Sequence, residues 1–281
     1  MSQKKCRIGV VATGSRADAD MQARTQALAA RLYGEAVEIV FHPNSFLTAG
    51  HFGGDDAARA AAFLEVANDP TFDALWFARG GYGSNRIAEA AAKDLPEAAK
   101  AKTYLGYSDG GFLLAALHKA GLRVAHGPMV QDVARHGGEA AVRRALAWLA
   151  TGDGEALEPG LDGPAMAFNL VVLSSLMGTP LEPDFSGAEL LIEEVDEELY
   201  RIDRFLFHVS AQPGFTAVRQ LRLGRCLIRD NDRPFGSELE AVVRYWCERA
   251  GVRYAGRADI GHDSLNRIVP FPSRNACLSL S

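Results

Sequence analysis

The chain has 281 residues, of which 48% are hydrophobic and 23% charged. That is longer than a typical domain of about 100–200 residues, so one large or two modest domains are expected, and a chain of this size buries enough core to exclude a disordered or stapled miniature fold. With 30 basic against 35 acidic residues the net charge is −5, which argues against a nucleic-acid binder, whose footprint is a basic excess. Four cysteines, Cys6, Cys226, Cys247 and Cys277, contain no Cys-x-x-Cys pair, so reduced thiols are expected rather than a zinc knuckle or a dithiol redox site. The basic N-terminus leads into a short apolar stretch from Ile8 to Thr13, below the roughly 7–15 residues of a signal-peptide core. No run approaches the ~20 apolar residues of a membrane span. The sequence therefore reads as cytoplasmic, with neither a membrane nor a nucleic acid as partner.

Residues 7–13 form a short apolar run ending in Gly14-Ser15, the pattern of a buried strand and its turn. Residues 20–33 carry apolar side chains at helical spacing, and the β-branched run 37–41 predicts a second strand. Residues 55–67 predict a helix with Asp55 and Asp56 at its positive N-terminal end. A third strand, 73–78, stops at Arg79-Gly80-Gly81-Tyr82-Gly83, and a short helix follows over 87–93. Strand 103–107, helix 112–120, strand 122–125 and helix 139–150 complete a repeated strand-then-helix pattern. That pattern argues for a mostly parallel, flavodoxin- or Rossmann-like sheet covered on both faces, with ligands beyond the carboxyl ends of its strands.

Residues 151–163 are rich in Gly, Pro and acids and look like a linker. The expected organisation is an N-terminal α/β domain over 1–150, a linker over 151–165 and a smaller α+β domain over 166–281. In this second half the pattern predicts a helix over 169–177, a strand over 188–195 and a helix over 200–210. A strand over 217–223, a helix over 238–250 and short strands near Ile268 and Ala276 follow.

Gly106-Tyr107-Ser108-Asp109-Gly110 fits G-x-S-x-G at a strand-to-helix junction, the context of a nucleophile elbow. Small neighbours let a serine on so tight a turn present Oγ to a substrate, and the next amide, that of Asp109, then faces the developing oxyanion. A helix cap by Ser108 or Asp109 is the plainer alternative. The Gly80-Gly81 turn permits close backbone approach and supplies a second candidate donor. It is neither a Walker loop nor a dinucleotide fingerprint. A serine needs a base, and among seven histidines only His126, ending strand five, and His262, in a loop after a short strand of the second half, stand where one is required. The residues alone leave that choice open. The acidic run Glu193-Glu194-Val195-Asp196-Glu197-Glu198 reads by its spacing first as a solvated charged turn and only second as the source of an orienting acid. No His-x-x-x-His or matched His/Cys set points to a metal, and nothing points to a cofactor.

Taken together, Ala78-Arg79-Gly80-Gly81-Tyr82-Gly83, Gly106-Tyr107-Ser108-Asp109, His126-Gly127-Pro128-Met129, Leu191-Ile192-Glu193-Glu194-Val195, Tyr200-Arg201-Ile202-Asp203-Arg204 and Gly261-His262 resemble the LD-carboxypeptidase family. The resemblance implies a serine peptidase with a Ser-Glu-His triad of Ser108, Glu193 and His262, choosing His262 over His126. It implies oxyanion donors at Gly80, Gly81 and Asp109. It also implies a homodimer and a murein tetrapeptide substrate, cut between meso-diaminopimelate and the terminal D-alanine during peptidoglycan recycling. So charged a substrate calls for arginines, and Arg86 and Arg204 are the candidates. Gly110, Gly111, Ala167 and Phe168 depart from the family pattern and bear on the pocket's shape. A relative acting on peptidyl-nucleotide or acyl-sulfamoyl antibiotics would use the same triad, whereas a non-catalytic binding module would need none of it.

Overall fold

The computed structural model describes residues 5–229 and 233–272. The first half alternates β1 (Cys6–Val11), α1 (Ala19–Tyr33), β2 (Val37–Phe41), α2 (Asp56–Asn68), β3 (Ala74–Phe77), α3 (Ser84–Ala92), α4 (Glu97–Lys100), β4 (Thr103–Gly106), α5 (Gly111–Lys119), β5 (Arg123–His126) and α6 (Gly138–Thr151). The second continues with β6 (Ala165–Asn169), α7 (Leu170–Leu176), β7 (Glu189–Glu198), α8 (Leu199–Ser210), α9 (Pro213–Thr216), β8 (Gln220–Arg229), α10 (Leu239–Ala250), β9 (Arg253–Arg257) and β10 (Val269–Pro270).

The first sheet has the order β10-β5-β4-β3-β1-β2, with β1 to β5 parallel. Its central strands are apolar on both faces because helices cover both: Ile8, Val10, Val11, Leu75, Trp76, Phe77 and Leu105 are wholly buried. β2 stands at the edge and alternates buried with half-buried residues. Capping acids start the helices, Asp18 accepting from the Met21 amide at 2.8 Å and Asp55 from the Ala58 amide at 2.7 Å.

The second half is more regular than its α+β texture suggests. Its four strands, β6-β7-β8-β9, form one parallel sheet, with helices making the crossovers. β6, built partly from alanines, is not among the expected strands, and the short strand expected before the His262 loop is β9, Arg-Tyr-Ala-Gly-Arg, an edge strand with little apolar content. β8 runs on to Arg229, past Gly224. The short strand near Ala276 lies outside the described residues.

One apolar cluster is continuous from the α2/α3/α5 side of the first sheet, through Phe168, Val172 and Ile192, to Val243 and Trp246 on α10. A separate cluster fills the opposite side of the first sheet, under α1 and α6. Finally the chain returns to the first sheet. β10 pairs antiparallel with β5, Val269 opposite His126, so the loop between β9 and β10 is drawn over the carboxyl ends of β4 and β5.

Candidate active site

β4 ends at Gly106 and α5 begins at Gly111, leaving Ser108 on the sharp turn between them. Ser108 has φ of +58°, a left-handed conformation that a side chain adopts at a cost of about 1–3 kcal/mol and that is retained where surrounding structure enforces it. Phe77 packs against both ends of the turn: a Cβ on Gly106 or Gly110 would come within 2.2 Å or 2.8 Å of its ring, so neither position admits a side chain. The turn aims Oγ at His262, whose Nε2 lies 3.0 Å away. On the other side of the ring, Nδ1 is hydrogen-bonded to the Glu193 carboxylate. Glu193 is fully buried on β7, and His262 is 6% exposed. The three residues come from β4–α5, from the β9–β10 loop and from the second sheet, and they form one hydrogen-bonded chain.

Electrostatics suit a base. Burial disfavours the imidazolium of His262, but the Glu193 carboxylate outweighs burial and holds the pKa above its ordinary value. His126 behaves oppositely. Burial pushes it down to about 4, and no protein group among the described residues hydrogen-bonds either ring nitrogen. Its ring meets the edge of Tyr107 at 5.5 Å, and its strand is paired on both sides, by β4 and by β10. Of the two candidate bases, only His262 faces Ser108.

The glycine turn after β3 lies against the nucleophile. A methyl group on Gly80 would sit 3.0 Å from both Cβ and Oγ of Ser108, so the loop's backbone approaches as only glycine permits. Gly81 has φ of +88°, and a Cβ there would meet Ser15 Oγ at 2.1 Å. Two groups hold this loop, and neither was visible in residue spacing. The Asp109 carboxylate accepts from the amides of Gly83 and Ser84, each at 3.0 Å, capping α3, while its own amide stands at the head of α5, where an N–H lacks an intrahelical acceptor. Burial pushes the Asp109 carboxyl up, against those donors. The buried Arg59 donates to the Gly83 carbonyl at 2.9 Å and to the Thr13 carbonyl, tying the β1 and β3 loops together.

Arg86 and Arg204 are not brought to Ser108. Arg86 pairs with Asp56 at 2.7 Å and lies over the Phe52 ring, 5.4 Å from its centroid; it is 48% exposed. Arg204 covers Tyr200 on the outer side of α8. The unusual residues noted in the sequence pack on one another: a Cβ on Gly111 would meet Phe168 at 3.3 Å and Val172 at 3.1 Å, so the aromatic side chain occupies the room that glycine leaves. Glu194 points away from His262; it accepts from Asn169 Nδ2 and the Val171 amide, each at 2.8 Å, and from the Val195 amide at 2.9 Å. Cys6, Cys226 and Cys247 form no disulfide among the described residues, and Cys277 lies outside them. Among the described residues no cluster of three or more His, Cys, Asp or Glu could hold a metal ion. None of their helices is long and apolar enough to cross a membrane.

Sequence comparison agrees with this architecture in both halves: the LD-carboxypeptidase N-terminal domain matches residues 8–127 and the LD-carboxypeptidase C-terminal domain matches residues 162–275. The chain belongs to the LD-carboxypeptidase family. It is therefore a peptidase, a hydrolase of peptide bonds. A Bacillus subtilis relative, named a probable murein peptide carboxypeptidase, is 35% identical over 244 residues, covering 81% of this chain and 75% of its own. Among solved structures, muramoyltetrapeptide carboxypeptidase from Oxalobacter formigenes superposes with a TM-score of 0.77 at 24% identity, covering 94% of this chain and 92% of that one. MccF, solved in complex with glutamyl sulfamoyl guanosine, gives a TM-score of 0.77 at 17% identity, covering 96% and 92%. At those identities the two structures share the fold of this LD-carboxypeptidase family chain.

Proposed function

We propose that the chain is a serine carboxypeptidase that hydrolyses the L,D peptide bond between meso-diaminopimelate and the terminal D-alanine of murein tetrapeptides. The observation that carries this reading is the Ser108–His262–Glu193 chain of hydrogen bonds on a left-handed serine. His262 Nε2 takes the proton of Ser108 as Oγ attacks the scissile carbonyl, and Glu193 holds Nδ1–H and offsets the charge of the imidazolium. The amides of Asp109 and of the Gly80–Gly81 loop bind the tetrahedral oxyanion. His262 returns the proton to the departing amine of D-alanine. A water, deprotonated by the same imidazole, then attacks the acyl carbon, and the imidazolium returns that proton to Ser108 Oγ as its bond to the acyl group breaks. No cofactor or metal takes part in these steps.

The substrate class is supported by the names of the Bacillus subtilis and Oxalobacter formigenes relatives, a probable murein peptide carboxypeptidase and a muramoyltetrapeptide carboxypeptidase. A cytoplasmic place in peptidoglycan recycling follows from that substrate. A second reading, cleavage of an aminoacyl or peptidyl sulfamoyl nucleoside, is favoured by one surface feature. Tyr82, on the glycine turn, is 49% exposed and lies 6.0 Å from Phe52 and 6.2 Å from His51, a rim on which a nucleobase would stack. Arg86 stands at the same rim, where a charged substrate would have to draw it from Asp56.

Residues 1–150 are proposed to act as the nucleophile-bearing domain, joined through 151–165 to a domain over 166–281 that brings Glu193 and His262. A homodimer is proposed on the exposed Phe207 and Tyr245 of α8 and α10, 59% and 54% accessible, which a second copy would cover; sedimentation velocity tests it. The deciding experiment for the substrate incubates the enzyme separately with L,D-linked tetrapeptide, its D,D-linked isomer and a glutamyl sulfamoyl nucleoside. Release of D-alanine from the L,D peptide alone is expected. Cleavage of the nucleoside alone would overturn the murein assignment.

A further inference from the structure

A second buried network lies behind the triad and joins its two halves. Its hub is Asp132, in the short turn Val130–Ala134 that follows β5. The Asp132 side chain is wholly buried and accepts three hydrogen bonds: from Tyr107 Oη at 2.9 Å, from the Met129 amide at 2.8 Å and from Arg135 Nε at 2.7 Å. Tyr107 is the residue before the nucleophile, and its ring lies 4.8 Å from that of His262. Arg135, seated on Asp132, extends Nη1 to the backbone carbonyl of His262 at 2.7 Å.

The consequence is geometric. Ser108 belongs to the first sheet, whereas His262 sits on a loop after the second. The β10–β5 pairing and Arg144, which donates to the carbonyls of Ser264 and Asn266, already tie this loop to the first half, and a contact from Arg135 sets the height of His262 itself above Ser108. The guanidinium does this with its rigid fork, one N–H on the carboxylate that anchors Tyr107 and another on the carbonyl of the base itself. Both ends of the Ser108–His262 hydrogen bond are thus referenced to one buried carboxylate.

We propose that Arg135 is a positioning residue of this hydrolase, holding the backbone of His262 within reach of Ser108 through Asp132. The proposal rests on the triad reading above. Arg135 touches neither the substrate nor the reacting atoms. Its charge adds a second effect, because it opposes protonation of His262. The other ionisable groups around that ring are Glu193 and Glu194 of β7, His126 of β5, Tyr107 and Asp132, with the Arg225–Asp263 pair on the adjoining backbone.

The test compares Arg135→Met and Arg135→Lys with the wild type and with His262→Ala, following kcat, KM and the pH dependence of kcat/KM on the best-cleaved peptide. Histidine NMR titration reads the ring without substrate. Displacing the base by even about 1 Å is expected to lower kcat by about ten- to a hundred-fold in Arg135→Met, with KM within about twofold of wild type. Loss of the cation raises the titration midpoint of His262, so the acid limb moves to higher pH. Arg135→Lys, which preserves the Asp132 charge pairing should the Met variant fold poorly, keeps the limb near the wild-type position. Lacking the fork, it still loses kcat several-fold. Wild-type kcat in both variants, or a fall in kcat with no shift of limb or midpoint in Arg135→Met, would overturn the proposal. Full activity in His262→Ala would instead overturn the triad reading on which it rests.

Discussion

Glu193→Gln is the sharpest single perturbation of the proposed chemistry. The side chain is wholly buried, its partner His262 is 6% exposed, and the substitution preserves shape while removing one charge. Opposite unit charges about 4 Å apart attract by about 4 kcal/mol at an effective dielectric near 20. That attraction is felt only when the imidazolium forms, which is on the way to the transition state. At 1.36 kcal/mol per tenfold in rate, its loss lowers kcat by about 10³. A further loss comes from the tautomer. The Gln amide can donate to Nδ1, which moves the ring proton to Nε2, where it faces Ser108 and blocks proton abstraction. The equivalent Asp→Asn change in a Ser-His-Asp triad costs about 10⁴ in kcat.

The expected result is a fall of about 10³–10⁴ in kcat with KM changed by no more than a few-fold, read by D-alanine release from the tetrapeptide. The pH profile gives an independent sign. His262 must be neutral to act, and the carboxylate raises its pKa. Removing the carboxylate lowers that pKa, so the acid limb of the residual activity moves to lower pH. A Gln variant within tenfold of wild type, or with an unmoved limb, would refute the role given to Glu193.

Further outcomes follow from the same geometry. Ser108→Gly and Ser108→Ala should both be inactive. The glycine variant should be more stable than the alanine variant by about 1 kcal/mol, because only Ala retains the positive-φ cost; equal thermal melts would contradict the strain. Gly81→Ala should lose at least tenfold in kcat and about 1–3 kcal/mol of stability, because its Cβ would meet Ser15 in a left-handed conformation; a variant with wild-type kcat and melting temperature would contradict this account of the loop. Burial pushes the Glu194 carboxyl up to about 7 from 4.5, so the folded chain keeps a proton that the unfolded chain releases. Wild-type stability from this group is therefore full below about pH 4.5 and falls by up to about 1.4 kcal/mol per unit as pH rises towards 7. Glu194→Gln should flatten that slope in urea melts across the interval, and parallel slopes would contradict it.

The first sheet is legible because its strands are buried on both faces and announce themselves as apolar runs ending in glycine turns, as at Ala78-Arg79-Gly80 and Gly106-Tyr107-Ser108. Ser108 is legible for the same reason: an elbow needs small neighbours, and Phe77 leaves no room for others. The choice between His126 and His262 is not a local matter. His126 is sealed between β4 and β10, and the strand that seals it lies more than a hundred residues further along the chain. Spacing alone carries no such contact, and family resemblance was needed to select His262. The same limit hid Arg59, Asp132, Arg135 and the Asp109 carboxylate, all of which act through partners brought together only by folding. Arg86 was named on the charge of the expected substrate, and charge says nothing about Asp56, which already engages it. In the second half, β6 escaped and β9 was legible only as a short strand without bounds, because alanine-rich and arginine-bounded strands lack the apolar contrast on which periodicity depends.

The most direct test of the central claim measures D-alanine released from murein tetrapeptide by wild type, Ser108→Ala and His262→Ala, with thermal melts to establish that all three are folded. Steady release by the wild type, with a loss of at least about 10³-fold in each folded variant, is the predicted result. Release by Ser108→Ala at the wild-type rate would contradict the assignment of Ser108 as nucleophile, and with it the account of how the two sheets cooperate.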